Sequence, residues 1–169
     1  MEQLSQTSYI QAVKAIKQAI QVSRYRAARQ MNGEVLGLYY AVGKYISLHS
    51  RNAEWGTGAI RAISAQLQQE MPGLRGFSEQ NMRRMRQFYE EWADVFENRS
   101  TVMSEIEIIP FAVDIQPFEF RSTVSSEIDE QDVNSFVSVG FSQHCSIITK
   151  VKSITARWFY IRRCASKNP

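Results

Sequence analysis

The sequence predicts a mainly α-helical fold, and three observations carry that prediction. Apolar residues recur at three- and four-residue steps through most of residues 9–96 and again after residue 140. The stretch around Ser78 carries a complete helix start, with a cap, an acid in the first turn and an apolar contact across the cap. Period-two alternation, the mark of a strand, is confined to a short stretch near residues 105–115.

From Tyr9 to Met31, Ile10, Val13, Ile16, Ile20, Ala27 and Ala28 define an amphipathic helix that Thr7 or Ser8 can cap. Lys14, Lys17, Arg24, Arg26 and Arg29 ride mainly outside this stripe as a solvated face. Asn32-Gly33 is expected to interrupt or kink the pattern. A second apolar face, Val35, Leu36, Leu38, Tyr39, Val42, Tyr45 and Ile46, runs to about Leu48. Gly37 and Gly43 lie inside it, each costing about 1 kcal/mol relative to alanine. A residue without a side chain lets another helix approach closely, so this is expected to be a central packing helix, with Tyr40 and its neighbours as core and rim aromatics.

His49 to Asn52 reads as a polar connection. Trp55, Ile60, Ile63, Leu67 and Met71 resume helical spacing, and Pro72-Gly73 ends that helix. After the turn Gly73-Leu74-Arg75-Gly76, Ser78 is the expected N-cap. Phe77 and Met82 form its hydrophobic staple. Met82, Met85, Phe88 or Tyr89, Trp92 and Phe96 make the buried stripe, and Gln80, Asn81, Arg83, Arg84 and Gln87 lie opposite. The arginines occupy the N-terminal half of this helix, and Glu90, Glu91, Asp94 and Glu97 the C-terminal half. That order opposes the macrodipole by a few tenths of a kcal/mol per charge. Pairs such as Arg83 with Gln87 and Arg86 with Glu90 offset part of it.

Residues 99–133 are rich in acids and hydroxyls, and Pro110 and Pro117 preclude a continuous helix. Glu105 to Ile108 and Phe111 to Ile115 alternate, which allows a short hairpin where a winged-helix domain carries its wing, but a charge of −6 argues against a wing on phosphate and favours a variable connector. Helical order returns in Gly140-Phe141-Ser142, an echo of Gly76-Phe77-Ser78, with Ser142 as the expected cap of a helix containing Ile147, Ile148 and Val151. The last helix is expected to bury Ile154, Trp158, Phe159, Ile161 and Cys164 or present them to a partner. Arg157, Arg162, Arg163 and Lys167 should lie outside. The organisation expected is a helical domain over 1–98, with a helix-turn-helix at 55–96. An acidic connector over 99–133 and a basic helical segment over 134–169 follow it.

Of the 169 residues, 44% are hydrophobic and 22% charged, the composition of a soluble globular protein. No apolar run reaches the length of a membrane span, and no secretion signal opens the chain, so a cytoplasmic protein is expected. Two cysteines and two histidines exclude a disulfide scaffold and a histidine-rich metal centre. Net charge is +3, but it is distributed as +3 over 1–98, −6 over 99–133 and +6 over 134–169. Basic lobes on both sides of an acidic connector suit a polyanionic partner.

The candidate site follows from residue type. Arginine, asparagine and glutamine at an exposed helix N-terminus make bidentate contacts to guanine and adenine edges. Gln80, Asn81, Arg83, Arg84 and Gln87 are therefore candidate DNA contacts, with Arg75 and Lys44 as candidate phosphate contacts. Trp158, Phe159 and Tyr160 are consecutive and cannot all face one small core, so they are a candidate partner interface. No phosphate loop, zinc spacing or nucleophile motif is present, and no catalytic residue, metal or cofactor is assigned. His144 beside Cys145 is read as packed or capping, because neighbours on a helix point about 100° apart.

Several stretches together resemble the N-terminal domain of the YhcG-like proteins, bacterial proteins in which a helical domain of unknown function precedes a PD-(D/E)XK nuclease domain. They are Leu38 to Ile46, Trp55-Gly56 with Ile60, Ile63 and Leu67, Gly76 to Tyr89, Phe141 to His144, and Arg157 to Tyr160. Phe141 stands where that family commonly has tryptophan. The resemblance implies a DNA-binding module that delivers a nuclease. The paired acids and lysine of such a nuclease have no counterpart here, so this chain is expected not to be an enzyme. The alternative function is an oligomerisation or protein-interaction domain, with a second copy as partner.

Overall fold

A computed structural model describes residues 2–51, 55, 58–97, 115–122 and 127–167. Six helices account for most of them: α1 (Glu2–Arg51), α2 (Ala59–Glu70), α3 (Glu79–Phe96), α4 (Glu130–Ser138), α5 (Phe141–Lys150) and α6 (Ile154–Lys167). The fold is mainly α, as the periodicity predicts, and no strand occurs among the described residues. The short hairpin allowed over 105–115 lies outside those residues, apart from Ile115. No helix among them is long and apolar enough to cross a membrane.

The chain is built around α1 and α3. Their backbones cross at Gly43, where an added Cβ would overlap the carbonyl oxygen of Met85. The close approach expected of a glycine in this helix is therefore made by α3. Gly37 serves a different neighbour. The extended segment 115–122 lies against it, with the Phe118 N–H donating to the Gly37 carbonyl at 2.9 Å.

The expected break at Asn32-Gly33 is absent, and α1 runs through it. Asparagine favours breaks when its side chain competes for local backbone groups. Here the Asn32 amide instead donates to the carbonyls of Val137 at 2.6 Å and Val139 at 3.0 Å. Those carbonyls end α4 and have no partner within the helix. The polar connection expected from His49 is also absent. α1 continues to Arg51, and the buried His49 ring stacks on Trp55 with centroids 5.3 Å apart.

α3 buries its whole predicted stripe, Met82, Met85, Phe88, Tyr89, Trp92 and Phe96, and adds Ala93. Each large side chain so buried contributes about 1.5–3 kcal/mol relative to exposure. Phe118, Phe120 and Ile128, from the stretch expected to be a connector, pack into the same core. So does α4, whose first turn uses part of the acidic charge. The Asp129 carboxylate accepts from the Asp132 N–H at 2.8 Å, and Glu130 and Asp132 suit the dipole there.

Two expectations about the C-terminal helices, the cap of α5 and the exposure of Arg157, need correction. The N-cap of α5 is Gly140 and not Ser142; the Gly140 N–H donates to the Gln143 side chain at 3.1 Å, and Ser142 is exposed within the first turn. Ile154, at the start of α6, is exposed. Arg157 is only 5% exposed, because it donates to Glu91 and to the Val151 carbonyl, both at 2.7 Å. It joins α6 to α3 and satisfies the last turn of α5.

His144 is buried among Phe88, Trp92 and Phe136, with Nε2 3.0 Å from the Phe136 carbonyl. Burial pushes its pKa down to about 4, against a smaller upward pull from that hydrogen bond. The unfolded chain, with an ordinary histidine near 6.5, binds more protons below that pH, so stability falls as pH falls. This contribution is complete above about pH 6.5 and is lost as pH drops toward 4. Urea unfolding at pH 7 and pH 4.5 should differ by roughly 2 kcal/mol more in the wild type than in His144→Gln. Equal pH dependence in the two would contradict the assignment.

Candidate nucleic-acid interface

The site begins in the turn between α2 and α3, which spans eight residues, Met71 to Ser78. Compact helix-turn-helix units use a turn of three or four. Gly73 and Gly76 take φ of 84° and 88°, the left-handed region that glycine enters without strain. Gly76 also lies against the Tyr39 hydroxyl, where a Cβ would overlap it. Ser78 caps α3 as predicted, its Oγ accepting from the Asn81 N–H at 3.2 Å. The staple is present too, with Phe77 packed against the cluster that holds Met82.

The structure sorts the sequence-predicted residues into two groups. Gln80, Arg83, Arg84 and Gln87 are all exposed on one face of the N-terminal half of α3, with Arg75 exposed in the preceding turn. Asn81 is half-buried, and its amide donates to the Gly76 carbonyl at 2.6 Å, which closes the turn. Lys44 lies at the other end of α3, where its ammonium donates to both oxygens of Glu97 at 3.2 and 3.3 Å. At 1.5 Å per residue, that is about 28 Å from Ser78 along the helix axis.

The reversed charge order of α3 now has a structural cause on its acidic side. Glu90 accepts from Ser47 Oγ at 2.7 Å and lies 3.8 Å from Arg86. Glu91 holds the buried Arg157, and Glu97 holds Lys44. These acids fasten α3 to α1 and α6. Toward the basic end, Glu79 is shared by Arg83 at 2.9 Å and Arg61 at 3.0 Å. The two guanidiniums, Arg83 before Arg61, hold its carboxyl below the usual range, so the trio keeps one net positive charge. Among the described residues, neither Arg75 nor Arg84 has an acidic partner.

One neighbour of this face was missed. α5 lies alongside α3, close enough for Arg84 to act on the half-buried Cys145 thiol, whose pKa burial pushes up and Arg84 pulls down. The repeated Gly-Phe-Ser was the available signal. Phe77 and Phe141 both meet Tyr39 edge-on, with centroids 5.9 and 4.7 Å away, so the N-termini of α3 and α5 abut the same ring. α5 exposes Ser142, Ser146, Thr149 and Lys150.

Of the three consecutive aromatics of α6 read as a candidate partner interface, Trp158 does not lie on an exposed face. Trp158 is buried against Trp92 and Phe136, whereas Phe159 is 56% and Tyr160 46% exposed. Among the described residues, no three His, Cys, Asp or Glu side chains gather as metal ligands.

The family model of the DUF1016 N-terminal domain matches residues 15–168. No curated protein and no solved structure matches the chain. The match covers nearly all of the sequence and agrees with the resemblance carried by Gly76 to Tyr89. The chain belongs to the DUF1016 N-terminal domain family.

Proposed function

We propose that this chain is a DNA-binding module, in which the N-terminal half of α3 and the turn before it face the nucleic acid. α2, the turn and α3 act as a helix-turn-helix unit with a long turn. Arg84 and Gln87 meet base edges, Gln80 and Arg83 flank them, and Arg75 meets phosphate. Asn81 shapes the turn, and Lys44 neutralises Glu97. In relatives of the YhcG type, such a module would bring a nuclease domain to its target.

The observation that supports this reading is the division of charge on α3. Glu79, Glu90, Glu91 and Glu97 are engaged in contacts within the fold, with Asp94 alone exposed at the far end of the helix, while Arg84 and Arg75 are exposed beside two glutamines, with no acidic partner among the described residues. A helix shaped only by stability would place cations at its other end. The positive ends of α3 and α5 add to the field on the same side.

Fluorescence anisotropy with a short labelled duplex tests the reading. The double variant Arg75→Ala/Arg84→Ala should bind roughly tenfold or more weakly at moderate salt, with unchanged circular dichroism. Affinity equal to wild type would remove these residues from the interface.

A further inference from the structure

The outward face of α6 carries a second chemistry. Trp158, Ile161 and Ala165 turn inward to the core. Helical steps of about 100° then carry Phe159 and Tyr160 away from it, and Arg163 and Lys167 follow Phe159 at four-residue intervals. Phe159, Tyr160, Arg163 and Lys167 are all exposed. The two rings meet edge-on, with centroids 5.4 Å apart and planes at 79°, which steadies each ring against the other.

The charge carried by the C-terminal segment that bears these rings is of one sign. Residues 134–169 hold six basic side chains and no acid. Two of the six are committed within the fold, Arg157 to Glu91 and Arg162 to Asp132. Lys150, Lys152, Arg163 and Lys167 remain exposed, with no acidic partner among the described residues. We propose that this face of α6 is a stacking surface for unpaired nucleobases, so that the protein favours DNA containing a single-stranded segment.

Charge and composition select this occupant. A second copy docking through the same face would bring like charges together, and interface cores are depleted in lysine. Single-stranded nucleic acid offers what both features require, a π-face for each ring and a phosphate for each cation. Base stacking on an aromatic side chain contributes without regard to sequence. The Arg157–Glu91 bond and the Trp158–Trp92 ring contact join α6 to α3, so the helices that carry the two surfaces share one core. The inference rests on the DNA-binding reading of α3 and extends it to the kind of DNA engaged.

The test measures anisotropy with three labelled probes: a blunt duplex, an oligothymidylate strand, and the duplex carrying a thymidine overhang. Phe159→Ala/Tyr160→Ala should weaken binding of the two probes with unpaired bases roughly tenfold or more, and leave the blunt duplex within about twofold. Phe159→Trp should retain binding, with its added emission quenched by oligothymidylate. Unchanged affinity of the aromatic double variant for oligothymidylate would overturn the proposal, as would unquenched emission or failure of the wild type to bind any unpaired probe. Sedimentation showing that the aromatic double variant dissociates a dimer would instead assign the face to a second copy and also overturn it. The α3 reading fails on a separate result, blunt-duplex affinity that is indifferent to Arg75→Ala/Arg84→Ala.

Discussion

Gly43→Ala is expected to cost about 3 kcal/mol or more of folding free energy, although it adds one methyl group. In an exposed helix the same change would stabilise by up to about 1 kcal/mol, through propensity alone. The sign reverses because the new Cβ would overlap the Met85 carbonyl oxygen, a backbone atom in the middle of α3 that cannot swing aside. Relief requires separating α1 from α3, and that opens the contact between Ile46 and Met85 and the rings around Tyr40. Urea denaturation read by tryptophan fluorescence measures the loss. A variant within 0.5 kcal/mol of wild type, a threshold of roughly the size of an ordinary surface substitution, would show that the helices do not cross there.

Phe136→Ala is expected to cost about 3–5 kcal/mol, the range for truncating a fully buried aromatic. Phe136 is completely buried, and its ring meets those of Phe88, Trp92, Phe96, Phe120, His144 and Trp158. These neighbours come from α3, α5, α6 and the 115–122 segment, so the cavity left behind cannot close by moving one element. The same denaturation experiment applies. A loss near 1 kcal/mol would mean that α4 packs only peripherally.

Features set by chemistry within one turn were legible in the sequence. Ser78, Glu79, Phe77 and Met82 fix the start of α3 through groups no more than four residues apart, and the buried stripe of that helix follows from its period. The exposed face with Gln80, Arg83, Arg84 and Gln87 is the complement of that stripe and was readable for the same reason. Gly43 signalled a close approach, though not which element made it.

What was not legible depends on partners distant in the chain. Asn32 reads as a breaker until its acceptors, Val137 and Val139, are placed beside it from more than a hundred residues away. Arg157 reads as a surface cation because Glu91, which holds it, is 66 residues earlier. Asn81 has the right residue type and spacing for base contact, yet a carbonyl in its own turn takes its amide. Asp129 was counted as connector charge, although Asp at a cap followed by Val133 and Phe136 is a helix start that the sequence did contain.

The central claim is that the N-terminal half of α3 faces nucleic acid through arginines the fold leaves uncommitted. The most direct measurement is the dependence of duplex affinity on salt, for the wild type and for Arg75→Ala/Arg84→Ala. Each phosphate neutralised by a bound cation releases counterions and adds nearly one to the slope of log affinity against log salt. The account predicts a steep wild-type slope, reduced by about 1 in the double variant through the lost phosphate contact of Arg75, together with weaker binding. A wild-type slope that the double variant leaves unchanged would contradict it.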